Sequence, residues 1–558
     1  MTGRLLQTTY ELVTYPSFAH PQSHPDRLAT VAKLFGMDPA SVENCRVLEL
    51  GCASGGNLIP MAACLPASQF VGIDFSPRQV ASGQEMVLAL GLHNIRLEQR
   101  DIGEIPSDFG VFDYVIAHGV YSWVSPEVQS KILAVCKQCL GPDGVAFVSY
   151  GTYPGCHSRR AVREMIRYHT ARISDPQERA TQARALVSFL DDTNRSANHG
   201  YSAMLREACQ RFQDKSDAYL LHDDLEEEYH PVYFSEFMDR ANRAGLQFLE
   251  EADITSSLFP RFPPEVLQTI TQTSDDQVRR EQYVDFLTNR VFRETLLCHD
   301  HVSIRRAIGP DDLRPFLFAS QAEYNAAQPV VHSTATNRPP EVPSRPAPLP
   351  ETRRGEMAFR TEPEQSGMPH ENAFSASHPL SKSALQYLAR NWPRVVSLEE
   401  LLTSASGALD AHGETVHAGD HRQLDVQVLL ETLWQAFAAN LVELHVHAPA
   451  LATEPSDRPV ASPFARHQAT MGTRVTNLRH ETIQLDDLGR WLLLQLDGAR
   501  DRAALVKQLT QYVADHGAVV QQYGKRVTDP HQLECVLGMG LETKLQLLAR
   551  WALLIKCV

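Results

Sequence analysis

At 558 residues the chain is too long for one hydrophobic core, and a typical domain size of about 150 residues predicts three or four structural units. The hydrophobic fraction of 43% is ordinary for a globular protein, no apolar run is long enough to cross a bilayer, and no secretory signal opens the chain, so we expect a cytoplasmic protein without membrane insertion. The net charge of −15 opposes nucleic-acid binding, which needs concentrated lysine and arginine, and instead suits a cationic substrate.

The ten cysteines are scattered along the chain, which predicts reduced thiols rather than a disulfide framework. Only Cys136 and Cys139 form a CxxC pair. This pair lies in the segment SKILAVCKQCL, whose apolar spacing favours an amphipathic helix, and no second pair of ligands follows it. We therefore predict no metal site.

The first chemical motif is a strand, a glycine loop and a helix in residues 46–65. The apolar run RVLEL contains β-forming residues, and the glycines after it permit a tight turn into a helical stretch from Asn57 to Leu65. The loop departs from the GxGxxG pattern that places a pyrophosphate at a helix N-terminus, and Glu49 would repel a phosphate. An acid at this position suits a ligand that carries an ammonium and a sulfonium group.

Two further strand ends carry acidic residues. After the loop, the segment QFVGIDFSP places Asp74 and Phe75 at the end of a buried strand, where a carboxylate can accept both hydroxyls of a ribose. A third strand end follows at Gln99, with Asp101 and Ile102 close behind it. A glycine loop alone would fit any doubly wound α/β fold, so these acidic strand ends decide between the alternatives.

This ordered set resembles class I methyltransferases, which bind S-adenosylmethionine (SAM) on a Rossmann-like sheet. In that family the glycine loop faces the methionine part of SAM, the acid at the position of Asp74 holds the ribose, and the pair at Asp101 and Ile102 flanks the adenine. The resemblance implies that SAM is the cofactor. The cofactor-binding residues that it implies are Glu49, Gly51, Cys52, Ala53, Gly55, Asn57, Asp74, Phe75, Asp101, Ile102 and His118.

Four later segments resemble the remaining strands of such a sheet. FDYVIAHGVYSWV and GVAFVSYGTYP match strands four and five, FSEFMDRANRAGLQFLEEADI matches a helix with strand six, and FRETLLCHD matches strand seven. Residues 156–230 interrupt this order of elements. An insertion here would lie over the active-site edge and supply a lid that faces the substrate.

Several segments together resemble bacterial methyltransferases that carry a methyltransferase regulatory domain. These segments are HPDRLATVAKLFG, RVLELGCASGGNLIPMA, HGVYSWV, SYGTYPG, HPVYF and FLTNRVFRETLLC. The best-understood relatives are the rickettsial outer membrane protein lysine methyltransferases, so the resemblance implies methylation of lysine side chains on a surface protein. Gly151 and Cys156 depart from the asparagine and tryptophan expected beside the methyl acceptor, and these departures bear on substrate choice and on activity.

Methyl transfer from a sulfonium to an amine is an in-line displacement, so the site must align donor and acceptor and supply a neutral lysine. An apolar slot lined by aromatic rings would deprotonate lysine by desolvation and would favour the cationic sulfonium. The predicted catalytic residues are His118, Tyr121, Trp123 and Tyr153, with Tyr150 as further lining. Each tyrosine or tryptophan also admits an interpretation as ordinary packing at a strand end, and His118 as an orienting residue.

The C-terminal part of the chain predicts further units. Seven prolines between Pro329 and Pro350 predict a linker. Three helical patterns and a strand after it give the outline of a winged helix, whose acidic third helix favours protein docking over DNA binding. The last hundred or so residues predict a mixed α/β unit that ends in an apolar helix, which forms core or a dimer contact.

The predicted fold is α/β: a seven-stranded Rossmann-like class I methyltransferase sheet with a largely helical insertion, plus a winged-helix-like domain and a C-terminal mixed α/β domain. The predicted boundaries are 1–155 for the first part of the SAM-binding core, 156–230 for the helical insertion and regulatory lid, 231–305 for the completion of the core with a helical insert, 306–378 for the linker, 379–450 for the winged-helix-like domain and 451–558 for the C-terminal domain.

Three functions remain open at this point. The first is a methyltransferase for lysine side chains of a protein substrate, which the family resemblance and the large accessory domains favour. The second is a methyltransferase for a small metabolite or lipid, for which the insertion would seal a pocket. The third is a SAM-binding regulator without turnover, suggested by Gly151 and Cys156. The sequence also leaves homodimer formation open.

Overall fold

The chain forms two compact units, one of Met1–Ser257 with Arg261–Ile304 and the other of Leu258–Pro260 with Arg305–Val558. The computed structural model describes residues 17–197, 199–213, 215–259, 262–324, 357–361, 372–376, 378–411, 422–515, 520–522, 525–527 and 529–556. Within these residues, no helix combines the length and the apolar character that crossing a bilayer requires.

The first unit is built on a sheet of seven strands in the order β3-β2-β1-β4-β5-β7-β6. The strands are β1 (Arg46–Leu50), β2 (Gln69–Asp74), β3 (Ile95–Gln99), β4 (Phe112–Ala117), β5 (Leu140–Gly151), β6 (Leu246–Glu251) and β7 (Phe292–His299). Strands β1 to β5 are parallel, and β7 runs antiparallel between β5 and β6. The predicted seven-stranded sheet is confirmed, and the strand order reverses between β1 and β4, where an α/β sheet places its ligand.

Helices cover the sheet and form the insertion. They are α1 (Pro25–Leu34), α2 (Leu58–Cys64), α3 (Pro77–Ala89), α4 (Pro126–Cys139), α5 (Cys156–Thr170), α6 (Pro176–Asn194), α7 (Gly200–Gln213), α8 (Phe234–Arg243), α9 (Ile254–Leu258), α10 (Pro264–Thr273) and α11 (Gln277–Thr288). Several of them begin with a capping side chain followed by proline. Ser76, Ser125 and Asp175 each accept a hydrogen bond from an amide in the first turn of α3, α4 and α6.

The main core lies between the sheet and the helices on its faces. Strand residues such as Leu48, Val115 and Val148 are fully buried and pack in one cluster with Ile132 and Cys136 of α4. Burial of each large aliphatic side chain stabilises the fold by about 1.5–3 kcal/mol. Both cysteines of the CxxC pair, Cys136 and Cys139, are therefore part of this core.

The insertion has a small core of its own. Val162 and Ile166 of α5, Val187 of α6 and Leu205 of α7 form a separate buried cluster. A helical insertion was expected here, and α5, α6 and α7 supply it before α8 leads the chain back to β6. The insertion starts directly after β5, so its first helix lies beside the carboxyl end of that strand.

The second unit contains two groups of elements. The first group comprises β8 (Leu317–Ala319), β9 (Glu323–Tyr324), β10 (Met357–Thr361), β11 (Asn372–Ala376), α12 (Pro379–Asn391), β12 (Val396–Ser397), α13 (Leu398–Ala411), α14 (Arg422–Ala438) and β13 (Glu443–His445). The second comprises α15 (Pro463–Met471), β14 (Arg474–Thr476), β15 (Thr482–Gln484), α16 (Asp487–Gln495), α17 (Arg502–Asp515), β16 (Gln521–Gln522), β17 (Lys525–Arg526) and α18 (Pro530–Arg550).

Part of the region predicted as a linker over 306–378 forms strands instead. Strand β8 pairs antiparallel with β12 and β13, and Phe318 on it is fully buried. The early residues are therefore part of a folded sheet, because their apolar side chains have partners far along the chain. The proline-rich residues 325–356, and also 362–371, lie outside the described residues, so the linker prediction there is untested.

Candidate functional site

The glycine loop begins directly after β1 and requires glycine at two positions. Gly51 and Gly55 have φ values of +73° and +75°, a conformation that other residues rarely adopt. A Cβ on Gly51 would also lie 2.3 Å from Cγ2 of Val120. The amides of Gly51 and Cys52 donate to the carbonyl of Ile73 over 2.8 and 2.9 Å. The loop is thereby held at the carboxyl ends of β1 and β2.

Asp74, the last residue of β2, ties the loop to the strand end. Its Oδ2 accepts a hydrogen bond from the amide of Ala53 at 2.8 Å, and its Oδ1 accepts one from the amide of Ser76 at 2.9 Å. Burial raises the pKa of Asp74, and the two amide hydrogen bonds counter part of that shift. Each carboxylate oxygen has a further lone pair. Asp74 can therefore hold the loop and accept the hydroxyls of a ribose at the same time.

The carboxyl group of Glu49, near the end of β1, is buried. Its Oε1 accepts a hydrogen bond from Nδ2 of Asn57 at 2.7 Å, whereas Oε2 is buried and has no hydrogen-bond partner among the described residues. Burial raises the pKa of Glu49 to about 7, which the bond from Asn57 opposes and the charge of Asp74 reinforces. An unpartnered buried acceptor costs roughly 1–3 kcal/mol. An ammonium group of a ligand would remove that cost, so this arrangement fits the methionine part of SAM.

The ends of β2 and β3 lie side by side, since Asp74 and Gln99 are paired in the strand register. Phe75 follows Asp74 and exposes 56% of its surface. On the other strand, Asp101 accepts a hydrogen bond from the amide of Gly103 at 2.7 Å and caps the short turn Ile102–Glu104. An exposed phenylalanine and a half-buried isoleucine at one sheet edge suit the two faces of a purine.

His118 follows β4 and lies against the ring of His20, with the ring centroids 3.7 Å apart and the ring planes tilted by 37°. Phe147 and Phe292 lie 5.8 and 6.4 Å from the same ring. Burial, with a smaller contribution from His20, lowers the pKa of His118 well below its ordinary value. The ring is therefore neutral near pH 7, and its buried Nδ1 has no hydrogen-bond partner among the described residues.

Three residues of the N-terminal segment were missed by sequence reasoning. The hydroxyl of Ser17 accepts a hydrogen bond from the amide of Gly56 at 2.8 Å, and the amide of His20 donates to Oδ1 of Asn57 at 2.9 Å. Ser23 receives a further bond from Asn57 at 3.0 Å. The family segment HPDRLATVAKLFG starts immediately after them, and it was the signal that pointed to this part of the chain.

Tyr121 lies in the core instead of at an open surface. It is fully buried, and its ring packs edge-on against Phe237 at 5.2 Å and lies 5.8 Å from Tyr150. Tyr150 stacks on Phe237 at 4.1 Å, and its hydroxyl is hydrogen-bonded to Thr295 at 2.9 Å. Both tyrosines thus have packing roles. The catalytic role of Tyr121 stays a prediction that its position does not favour.

Trp123 lies shortly after β4, and its side chain contacts residues of the insertion. Its ring lies 4.9 Å from Tyr229, a residue that sequence reasoning did not single out. The guanidinium of Arg159 lies 5.4 Å from each of these rings, and that of Arg163 lies 4.7 Å from Tyr229. Such cation–π contacts contribute about 0.5–2 kcal/mol each. The faces of Trp123 and Tyr229 are therefore already engaged by α5.

Tyr153 borders a surface that solvent reaches. Its ring stacks on the exposed His157 at 4.2 Å and lies 5.3 Å from Tyr233. Nε2 of His157 is 3.2 Å from the hydroxyl of Tyr233, and Arg160 donates to the hydroxyl of Tyr153 at 3.1 Å. His157 and Tyr233 were also missed, although the segment HPVYF contains Tyr233. The structure brings Tyr153 and Trp123 into one aromatic cluster with Tyr229.

The two departures from the family pattern, Gly151 and Cys156, lie next to each other. A Cβ on Gly151 would be 3.1 Å from Sγ of Cys156 and 3.5 Å from the hydroxyl of Tyr229. That hydroxyl donates to Sγ of Cys156 at 3.2 Å, and the thiol donates to the carbonyl of Val291 at 3.2 Å. The small residues Gly151 and Cys156 therefore leave space for the hydroxyl end of Tyr229.

Family models match three parts of the chain. A model described as a methyltransferase domain matches residues 47–144, a predicted methyltransferase regulatory domain matches residues 216–299, and a C-terminal winged helix domain of PKMT matches residues 457–553. The regulatory domain thus includes β6 and β7 of the sheet. The winged helix falls in the region expected to be mixed α/β, and the winged-helix assignment of 379–450 stays a prediction.

One curated relative and one solved structure cover almost the whole chain, and a second relative covers less than half of it. Protein RP789 of Rickettsia prowazekii (strain Madrid E) is 31% identical over 526 residues, which cover 94% of this chain and 89% of that protein. Protein RP028 of the same strain is 35% identical over 249 residues, which cover 45% of this chain and all of that protein. The structure of PKMT2 from Rickettsia typhi has a TM-score of 0.81 at 27% identity and covers 97% of this chain and all of that one. PKMT2 has also been solved in complex with AdoHcy, with the same similarity.

The sheet order, the acidic strand ends and the glycine loop define a SAM-dependent methyltransferase of class I. The cofactor is SAM, whose demethylated form is AdoHcy. This chain belongs to the family that contains RP789 of Rickettsia prowazekii. In this chain a methyltransferase domain is combined with a regulatory domain and a C-terminal winged helix.

Proposed function

We propose that the protein transfers the methyl group of SAM to lysine side chains of a protein substrate. The observation that carries this proposal is the exposed aromatic surface at the end of β5. Phe292, which is paired with Gly151 in the strand register, is 45% exposed, and Phe286 is 50% exposed with its ring 6.1 Å from Tyr233. A pocket for a small acceptor would bury such rings, whereas an apolar rim suits the surface of a protein.

On the donor side, the contacts support one role for each strand end. Glu49 would bind the ammonium group of SAM with its free Oε2, and Asp74 would accept the ribose hydroxyls. Phe75 and Ile102 would flank the adenine, with Asp101 beside them. The loop residues Gly51, Cys52, Ala53 and Gly55 would face the methionine part, with Asn57 orienting Glu49.

On the acceptor side, Tyr153 is the aromatic residue best placed to meet a lysine. Its neighbours His157 and Tyr233 extend the aromatic surface, and the cationic Arg160 lies within hydrogen-bonding distance of its hydroxyl. Desolvation by the rings and the nearby positive charge both lower the pKa of a bound lysine amine. The neutral amine then attacks the methyl carbon, the sulfonium leaves as a thioether with the bonding electron pair, and the proton of the new ammonium is lost to water.

Two further observations support a protein acceptor over a small molecule. The chain resembles PKMT2 over nearly its full length, so the accessory domains are shared with a protein named for lysine methylation. The negative net charge of the chain favours a lysine-rich partner.

We place the reaction in the cytoplasm and infer that a surface protein would be methylated there before export. We assign the insertion at 156–230 to the substrate-facing lid.

Tritiated SAM incubated with the purified protein and a bacterial lysate tests the proposal. We expect the label in the protein fraction, at residues that mass spectrometry identifies as methylated lysines. Asp74→Ala is the matched control and should give less label at the same low SAM concentration, because it binds SAM more weakly. Label in the small-molecule fraction alone would contradict the proposal and favour a metabolite or lipid acceptor. SAM binding without label in either fraction would favour a regulator without turnover.

A further inference from the structure

The N-terminal segment Ser17–Ser23 contacts both sides of the reaction centre. Towards the donor, the backbone amide of His20 donates to Asn57 at 2.9 Å, and Asn57 in turn donates to Glu49 at 2.7 Å. The same segment accepts a hydrogen bond from the loop through Ser17, and a Cβ on Gly56 would lie only 2.2 Å from the carbonyl oxygen of Ser17. The segment and the glycine loop are therefore packed without space between them.

Towards the acceptor, the side chain of His20 lies on the ring of His118. The centroids are 3.7 Å apart with an angle of 37° between the planes, which is closer than the contacts of His118 with Phe147 and Phe292. His118 is the first residue after β4. Phe292, whose ring lies near His118, is paired with Gly151 at the end of β5. A shift of the His118 ring would therefore change the wall between the donor and the acceptor.

We propose that His20 is a positioning residue for methyl transfer, which holds the ring of His118 at the end of β4. The backbone amide of His20 binds Asn57 on the donor side, and its ring contacts His118 on the acceptor side. A substitution of the side chain therefore removes the contact with His118 and keeps the bond to Asn57. This inference rests on methyl transfer from SAM and is independent of whether the acceptor is a lysine. A misplacement of about 1 Å at the reacting atoms costs on the order of a hundredfold in rate.

Four variants of the full chain test the proposal. His20→Ala removes the ring, His20→Leu fills its volume without a planar ring, and His20→Phe restores a ring that can stack. All three keep the backbone amide that binds Asn57. The matched control is His24→Ala, which removes the neighbouring imidazole that caps α1 by accepting from the amide of Asp26 at 3.1 Å. Circular dichroism and thermal melting first establish that each variant is folded.

Two quantities are measured: the dissociation constant of AdoHcy by calorimetry, and the initial rate of label transfer from saturating tritiated SAM to the accepting fraction. We expect His20→Ala and His20→Leu to lower the rate by about 10- to 100-fold, the range of a partial to a full misplacement, with AdoHcy affinity within about threefold of the unchanged protein. His20→Phe should recover most of the rate, and His24→Ala should keep it.

The proposal is overturned if His20→Ala keeps more than half of the rate, or if His20→Phe is as slow as His20→Leu. It is also overturned if AdoHcy affinity falls in parallel with the rate, because the segment would then act as ordinary support for the cofactor site. If His20→Ala does not fold, the comparison of His20→Leu with His20→Phe decides. Label confined to small molecules would contradict the lysine acceptor, and the same variants would still be compared on that fraction.

Discussion

At the scale of single residues, Asp74 has two hydrogen-bonding neighbours, the amides of Ala53 and Ser76, and would gain the ribose of SAM as a third. We expect Asp74→Ala to weaken SAM binding by at least about 1.5 kcal/mol, because charge-assisted hydrogen bonds of roughly this size are lost. Asp74→Asn, which keeps one carbonyl acceptor, should lose less. Isothermal titration calorimetry measures both, and an unchanged dissociation constant for Asp74→Ala would remove this residue from the cofactor site.

The buried carboxyl group of Glu49 predicts a pH dependence of cofactor binding. Burial raises its pKa to about 7, so the carboxyl group of the free protein is mostly ionised above that pH and mostly protonated below it. Only the ionised form attracts the ammonium of SAM, so the dissociation constant should rise by up to about tenfold for each unit below pH 7. Calorimetry between pH 5.5 and 7.5 tests this, with Glu49→Gln as the control that should bind weakly and without this dependence. A flat profile for the unchanged protein would contradict the role of Glu49.

The different surroundings of Tyr153 and Tyr121 predict different consequences of truncation. Tyr153→Ala should lower turnover by about a hundredfold with little change in SAM affinity, since it removes a ring beside the acceptor. Tyr121→Ala should instead destabilise the fold by about 3–5 kcal/mol, the usual cost of deleting a buried aromatic ring. Kinetics and urea unfolding of both variants separate the two effects. Near-normal turnover of Tyr153→Ala would contradict this role and place the acceptor elsewhere, beneath the insertion.

At the scale of elements, one buried arginine joins α11 to β6 and β7. Arg293 is 2.7 Å from Glu251, 3.1 Å from Glu281 and 2.8 Å from Asp285, and its guanidinium lies 3.8 Å from the ring centroid of Phe234. Arg293→Met would leave the carboxylates buried without this partner, so we expect a loss of about 3–5 kcal/mol in the free energy of unfolding.

Equilibrium unfolding in urea measures the effect of Arg293→Met. The matched control is Arg290→Met, because Arg290 also pairs with Asp285, at 3.1 Å, but lies nearer the surface. The control should cost clearly less. A loss below about 1 kcal/mol for Arg293→Met would mean that relaxation or water compensates the carboxylates, and the ion cluster would then not be what joins these elements.

At the scale of the whole molecule, the division into two units predicts that the parts can be separated. Each unit has its own buried cluster, formed by the sheet in the first and by α15 to α18 in the second. A chain that ends at Ile304 should therefore fold and bind SAM within about threefold of the full protein, while label transfer to protein falls because contacts with the substrate are lost. Calorimetry and the labelling assay measure the two quantities. A folded fragment that no longer binds SAM would contradict this division.

Much of the donor side was predictable because it depends on local features of the chain. Strands that alternate with helices, a glycine loop after β1 and acids at the ends of β1, β2 and β3 are visible as short patterns. The seven-stranded sheet then follows from the family resemblance, and the structure confirms it. Short sequence patterns therefore predict the strand ends at which Glu49 and Asp74 lie, and the family resemblance implies the class of fold and the cofactor.

Contacts between side chains that are far apart in the sequence become visible only in the folded chain. It places His20 on His118, Tyr229 beside Gly151 and Tyr121 inside the core, and it joins β8 of the expected linker to β12 and β13. A hydrophobic pattern states which face of a helix or strand is apolar, but it does not state which partner covers that face. That choice depends on how whole helices and strands pack together, because close packing must be satisfied for all of them at once.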